Sequence, residues 1–360
     1  MNNNIFSIIT GTGRYIPTKV MKNINFSDYV FVDSTGEKLD KANDEIIDKF
    51  QHITGIEERT YIEDEFVSSD IGFFSAQAAI ATSKINKEDL DYIIVAHNFG
   101  DVQKANVKVD TVPSIASRIK FKLGIKNPYT VGYDILFGCP GWLQAMFQAN
   151  YYIQSGDAKK VLVIGTETLS RVSDPHDRDS MIYSDGAGAV VVEATESDTP
   201  VGIITHLTRT DAVEHAYLLR MEKSANPKFK NDTLFLKMDG RKLYEYALRI
   251  VPQAIKDCIT KAGLFIGDIK KVLIHQANEK MDDAILSRLY RLFNVEKIPK
   301  NIMPMTIAKL GNSSVATLPI MFDFLVKGEL ENHRLGTGDH VVFASVGAGM
   351  NVNAMVYKMP

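Results

Sequence analysis

Cysteine and tryptophan are scarce in this chain: 360 residues contain two of the first, Cys139 and Cys258, and one of the second, Trp142. Two cysteines exclude a disulfide framework and suit a reducing compartment. No apolar run reaches the roughly 18 residues of a membrane span, and Met1-Asn2-Asn3-Asn4-Ile5-Phe6 lacks the charged segment and apolar core of a leader. The expected location is therefore the cytoplasm, with no membrane partner. A net charge of −3 provides no basic field for nucleic acid. No cluster of Cys, His and carboxylates shows ligand spacing, so neither a metal nor a cofactor is expected. What remains is a 45% hydrophobic chain long enough for a large core and two domain-sized units.

Apolar strand-like runs alternate with amphipathic segments, which points to α/β architecture. The helical pattern covers Asp70 to Lys84, Val112 to Leu123, Trp142 to Ser155, Tyr244 to Ala262, Asp282 to Phe293 and Val315 to Lys327. The chain also resembles itself. Asp91 to His97 is similar to Ile269 to His275, Gly156 to Gly165 is similar to Gly338 to Ser345, and each half closes on Gly-Ala-Gly followed by an alternating apolar run. Two similar halves follow, 1–196 and 197–360, divided at the polar stretch Glu196-Ser197-Asp198-Thr199-Pro200. The crevice where strand ends of such sheets meet is the expected site.

Cys139 stands where the apolar run Tyr133 to Phe137 gives way to Gly138-Cys139-Pro140-Gly141 and a helical pattern. Proline suits a first helical turn. Unpaired amides and the positive end of the helix dipole favour thiolate, the nucleophilic form. A buried structural thiol is the plain alternative. His275-Gln276-Ala277-Asn278 closes the run Val272 to Ile274, and Leu310-Gly311-Asn312-Ser313-Ser314 precedes another helical stretch. Taken singly, His275 reads as a strand-end histidine, Asn312 as a turn or cap residue, and Gly347-Ala348-Gly349 as a tight turn. His97, His176, His206 and His215 have no comparable company, and Cys258 reads as core.

Together these segments resemble the ketosynthase III branch of the thiolase superfamily, the β-ketoacyl-[acyl-carrier-protein] synthase III enzymes that prime fatty-acid and some polyketide chains. The cysteine elbow, His-Gln-Ala-Asn, Gly-Asn-Ser-Ser, Ser184-Asp185-Gly186-Ala187-Gly188-Ala189 and Val346-Gly347-Ala348-Gly349 occur in family order and span nearly the whole chain. The resemblance implies a thiolase-like fold of two duplicated βαβαβαββ halves in a five-layered α-β-α-β-α arrangement, and a homodimer. It implies that Cys139 takes an acyl group from a thioester, with the backbone N–H groups of Cys139 and Ala348 as oxyanion hole. His275 and Asn312 would donate hydrogen bonds to a malonyl thioester, and its decarboxylation would drive a Claisen condensation. Acyl-carrier protein is the implied partner.

Departures from the fatty-acid priming enzymes point to a specialised member, such as one serving dialkylresorcinol or aryl-polyene assembly. Arg178 keeps one face of the family's adenine sandwich, but the early aromatic position falls near Lys49, so a carrier-bound primer is favoured over coenzyme A. Val112 stands where acetyl-preferring relatives often carry phenylalanine at the channel end. Insertions lie at Asp33 to Asp40 and Gly100 to Asp110, where loops vary function over a constant scaffold. Lys280 matches the basic residue expected at the acidic carrier, with Glu279 beside it. Three other readings stay open: a papain-like hydrolase in the order Cys, His, Asn, whose flanks are absent; a degradative thiolase, whose second cysteine is missing; and a non-catalytic partner subunit of a ketosynthase complex.

Overall fold

The computed structural model describes residues 4–106, 108–229 and 232–360. Strands β1 (Ile5–Tyr15), β2 (Tyr92–Ala96), β3 (Val131–Ile135), β4 (Lys160–Thr168) and β5 (Asp185–Glu196) form one sheet in the order β1-β5-β4-β2-β3. Strands β6 (Gly202–Thr210), β7 (Ile269–Ile274), β8 (His340–Gly347) and β9 (Asn351–Lys358) form a second in the order β6-β9-β8-β7. Pairing is parallel for β2 with β3 and β4 and for β7 with β8; every other pair is antiparallel. The two sheets follow one plan, so the duplication legible in the sequence is a duplication of topology. Among the described residues only β3 lacks a counterpart, and at the corresponding edge the Val272 N–H donates to the Ile302 carbonyl at 3.0 Å.

Alternation along the strands builds five layers, because successive side chains leave opposite faces of a sheet. Ile93, Val95, Leu162 and Ile164 face outward onto α1 (Ser68–Ser83) and α2 (Ile115–Leu123). Ile94, Ala96, Val161 and Val163 face inward onto α3 (Gly141–Ser155). In the second sheet Val341, Phe343, Met355 and Tyr357 meet the same central layer. Val342, Ala344, Ala354 and Val356 turn the other way, onto α4 (Gly240–Lys261) and α5 (Glu279–Leu292). Helix α6 (Thr317–Val326) joins α3 in the middle through Leu318, Met321, Phe322 and Leu325. Since both sheets cover it, α3 buries Trp142, Leu143, Met146 and Phe147 to 1% exposure or less, each contributing about 1.5–3 kcal/mol.

Helix ends depart from the periodicity where capping intervenes. Helix α2 starts at Ile115 rather than Val112, because the Ser114 side chain accepts the Ser117 N–H. Asp239 and Asn278 likewise cap α4 and α5, so these begin at Gly240 and Glu279, ahead of Tyr244 and Asp282. Pro252 sits inside α4 without an N–H for the Leu248 carbonyl, and Arg288 Nη1 of α5 donates to that carbonyl at 3.2 Å instead. A hairpin of Leu219–Lys223 with Leu234–Met238 has no marked signal in the sequence; it walls the site described next. The insertion at Asp33 to Asp40 lies against the segment carrying Arg178, the Val32 N–H donating to the His176 carbonyl at 2.9 Å. That at Gly100 to Asp110 forms a small hairpin, with Val107 outside the described residues.

Candidate active site

Cys139 follows β3 by four residues and precedes α3 by two; the strand stops at Ile135, short of Phe137. Two glycines bring this elbow against the turn after β8. Gly138 has φ +63°, and a Cβ there would lie 2.6 Å from the Ala348 nitrogen. A Cβ on Gly347 would lie 2.4 Å from the Cys139 nitrogen. Backbone can approach that closely only where side chains are absent. The amides of Cys139 and Ala348 are thereby drawn to one spot.

His275 sits at the end of β7, its N–H donating to the Ala344 carbonyl at 2.8 Å. It is 5% exposed, its Nδ1 has no partner among the described residues, and burial pushes its pKa down to about 4, so the ring is neutral at pH 7. The rest of its motif is structural. Gln276 donates to the Pro304 carbonyl at 2.8 Å and accepts the Thr306 N–H at 2.9 Å, clamping the loop beneath. Asn278 caps α5 by accepting the Met281 N–H at 3.0 Å.

Asn312 reaches the site on a loop from the second half held against the first. Its N–H donates to the Ile182 carbonyl at 2.9 Å, and its carbonyl accepts the Ser184 N–H at 2.8 Å. Its Oδ1 accepts the Ser314 N–H at 2.8 Å, which leaves Nδ2 as the donor for the cavity. Ser314 itself has φ +52°, and its hydroxyl donates to Cys139 Sγ at 3.3 Å. In the Ser184 to Ala189 motif, Ser184 donates to the Thr60 carbonyl at 3.0 Å, and Asp185 accepts N–H groups from Ile62 and Ser170, each at 2.8 Å. Burial raises Asp185 to about 6. The motif braces the loop and contributes no side chain to the cavity.

Cys139, His275 and Asn312, which sequence spreads over 174 positions, line one cavity of about 260 Å³ together with Gly138, Gly347 and Ala348. Its remaining wall is mostly apolar, with Leu169, Ile182, Met281 and, from the hairpin, Leu219, Met221, Leu236 and Met238. The thiol is partly open to this cavity yet deep in the protein. Burial pushes it up to about 11, the charge of Glu167 adds to the rise, and the Ser314 hydroxyl opposes it. This corrects the expectation of a resting thiolate. A helix N-terminus contributes at most ~2 kcal/mol, roughly one and a half pKa units, which does not offset desolvation of that size. At neutral pH the sulfur is a thiol.

Val112, Arg178 and Lys280 do not line the cavity. Arg178 opens the short helix Arg178–Ile182, whose far end does line it; the guanidinium is half exposed and 3.7 Å from Asp179. Lys280 is exposed beside Met281, a wall residue, and Lys49 is exposed on the helix Asn43–Thr54. Val112 is 84% exposed, in the loop just ahead of α2. His97 is satisfied structurally by Asp134 at 3.0 Å and the Gly100 N–H at 3.0 Å, and Cys258 is buried in the outer core of the second half. Sequence reasoning missed Ser314, Asn98 and Glu167 around the thiol. Ser314 stood within the Gly-Asn-Ser-Ser motif without a role of its own, and Glu167 carried a weaker signal, a carboxylate near the end of a buried strand. Among the described residues no group of three or more His, Cys, Asp or Glu is arranged to hold a metal ion, and no helix is long and apolar enough to cross a membrane.

Paired sheets enclosing two central helices, with a cysteine elbow at their junction, define a thiolase-like α/β fold. Residues 133–212 match the model of 3-oxoacyl-[acyl-carrier-protein] synthase III and residues 259–359 that of its C-terminal region. The chain is 32% identical to β-ketoacyl-[acyl-carrier-protein] synthase III of Staphylococcus aureus, over 97% of this chain and 98% of that one. The crystal structure of 3-oxoacyl-[acyl-carrier-protein] synthase III from Aquifex aeolicus superposes with a TM-score of 0.78 at 28% identity, covering 98% and 99% of the two chains. The priming β-ketosynthase of a polyketide pathway shares the fold, with a TM-score of 0.81 at 24% identity over 100% and 98%. The chain belongs to the 3-oxoacyl-[acyl-carrier-protein] synthase III family, whose members are acyltransferases of the carbon–carbon condensing kind.

Proposed function

We propose that this protein condenses an acyl primer with a malonyl-type extender through Cys139, His275 and Asn312. The observation that carries the reading is their convergence on one cavity beside the Gly347-Ala348 turn. Cys139 Sγ attacks the primer thioester carbonyl, and the negative oxygen of the tetrahedral intermediate is held by the amides of Cys139 and Ala348. The carrier thiol leaves with the proton given up by Cys139, and acyl-cysteine remains. The extender thioester then places its carbonyl oxygen between His275 and Asn312 Nδ2. A neutral imidazole retains one N–H to donate, and burial, which lowers its pKa to about 4, keeps it neutral. As the C–C bond to the carboxylate breaks, CO₂ departs and its electron pair becomes the enolate that these donors stabilise. The enolate carbon attacks the acyl-cysteine, the C–S bond breaks with its electron pair left on sulfur, which regains a proton from water, and a 3-oxoacyl thioester is released.

Acyl-carrier protein is the proposed carrier for both substrates, as the names of the relatives imply for those proteins. Exposed Lys280 beside the wall residue Met281 supports an acidic partner docking at the cavity. Arg178 is proposed to meet the carrier or its prosthetic arm. A homodimer is supported by the unpaired edge of β3, where Val131, Leu136 and nearby Val112 are 47%, 65% and 84% exposed. An apolar open edge of this kind is normally covered. Val112 then reaches the partner's acyl channel. The halves 1–196 and 197–360 are read as one ancestral unit doubled. The complete set of three argues for catalysis over a non-catalytic subunit, while service in a dialkylresorcinol or polyketide pathway rests on Lys49 and Val112. Intact-protein mass spectrometry after incubation with acyl-carrier and acyl-coenzyme A thioesters tests the reading. Mass added at Cys139 and absent from Cys139→Ala supports it, and unmodified protein with every thioester overturns it.

A further inference from the structure

The thiol is the least activated member of its own site, since burial holds it in the protonated form. The larger of two contacts that oppose this comes from Ser314, the other being with the backbone of Cys139 itself. Ser314 Oγ lies 3.3 Å from Cys139 Sγ and donates to it. A hydroxyl rotates, so what it donates to depends on what occupies its lone pairs. Asn98 Nδ2 donates to Ser314 Oγ at 3.3 Å, which leaves the hydroxyl proton to point elsewhere, toward sulfur. The amide could in principle be turned over, presenting oxygen instead. Glu167 prevents that: its Oε2 accepts from Asn98 Nδ2 at 2.6 Å and its Oε1 from the Asn98 N–H at 3.4 Å. A carboxylate only accepts, so the NH₂ must face it, and the second hydrogen of the same NH₂ serves Ser314.

We propose that Ser314 is a further catalytic residue, stabilising the Cys139 thiolate as it forms, and that Asn98 is a positioning residue which, anchored by Glu167, aims the Ser314 hydroxyl at sulfur. The inference rests on Cys139 being the nucleophile. No atom is transferred through the relay; one hydrogen bond strengthens as charge develops on sulfur, as bonds to ionised acceptors do. The left-handed backbone of Ser314 at φ +52° is what carries its side chain to the thiol, a conformation costly for a non-glycine residue and concentrated at functional sites. The other titratable groups around the relay are His97 after β2, His275 after β7, Tyr183, which lines the cavity, and Asp185, which does not line it but whose charge reaches Glu167. Glu167, buried and raised to about 7, is the carboxylate above that pH.

The test is the pH profile of Cys139 alkylation by iodoacetamide between pH 7.5 and 11, which needs no condensation and so stands apart from the proposed overall reaction. Ser314→Ala and Ser314→Gly should both move the profile about one unit to higher pH, about tenfold slower alkylation at fixed pH below it. Glycine is the safer fold, because it accepts the positive φ. Asn98→Ala should slow alkylation about threefold in the wild-type background and not at all in Ser314→Ala, since its effect passes through that hydroxyl. Profiles of both Ser314 variants that overlay the wild type overturn the catalytic role. An Asn98→Ala effect of the same size in both backgrounds overturns the relay.

Discussion

Replacing Gly347 by alanine adds one carbon at the tightest contact of the site. That Cβ would stand 2.4 Å from the Cys139 nitrogen, 2.7 Å from Pro140 Cδ and 3.1 Å from Cys139 Cβ, where ordinary contact begins at 3.4 Å. Neither neighbour is a flexible tip: one is backbone and the other a ring at the start of α3. The turn and the elbow must therefore part by about 1 Å, and they carry the two proposed oxyanion amides. A misplacement of that size costs about 10²-fold, and losing one such donor costs about 10²–10³-fold. Single-turnover acylation of Cys139, followed by mass, should accordingly fall at least 10²-fold in Gly347→Ala. Iodoacetamide alkylation, which develops no oxyanion, should change far less. Acylation within threefold of wild type would refute the claim that these amides work as a pair, and a parallel loss in alkylation would place the damage at the thiol instead.

His275→Ala and Asn312→Ala should still acquire an acyl group at Cys139 but release CO₂ from malonyl carrier protein about 10²-fold more slowly; His275→Ala decarboxylating at the wild-type rate would remove it from the assignment. The same histidine makes stability depend on pH. Its folded value of about 4 lies below the ordinary 6.5, so the unfolded chain binds the proton more strongly, and stability is lost as pH falls from about 6.5 toward 4. The full difference is about 3 kcal/mol. Urea midpoints of wild type and His275→Gln at pH 7.5 and 5 should therefore converge on acidification if the glutamine variant is the less stable at pH 7.5; parallel shifts would count against it. For the primer, carrier-bound medium-length acyl groups should load faster than acetyl-coenzyme A, and Val112→Phe should restore a preference for acetyl. Rapid, selective loading from acetyl-coenzyme A by the wild type would return the chain to ordinary fatty-acid priming.

Much of the architecture was legible because it is written in local periods. The continuous apolar run Val161 to Ile164, within the repeat segment Gly156 to Gly165, suits a doubly buried strand, and the likeness of Asp91 to His97 with Ile269 to His275 foretold two sheets of one plan. Cys139, His275 and Asn312 were legible through short motifs at element ends. Helix starts at Ile115, Gly240 and Glu279 were less so, since Ser114, Asp239 and Asn278 set them through single side-chain hydrogen bonds rather than by periodicity.

What the sequence by itself determined is thus the alternation of strands and helices in two similar halves and the family, with the motif residues from which the site is proposed. Only the tertiary structure decided the state of those residues. The Cys139 thiol is raised and His275 lowered because both were carried out of water by segments far apart in the chain. Ser314, Asn98 and Glu167 gather at the sulfur only once the loop after Leu310 closes on the first half. A hydrogen bond between positions 98 and 314 leaves no periodic trace in either neighbourhood, because its geometry exists only when the two halves meet.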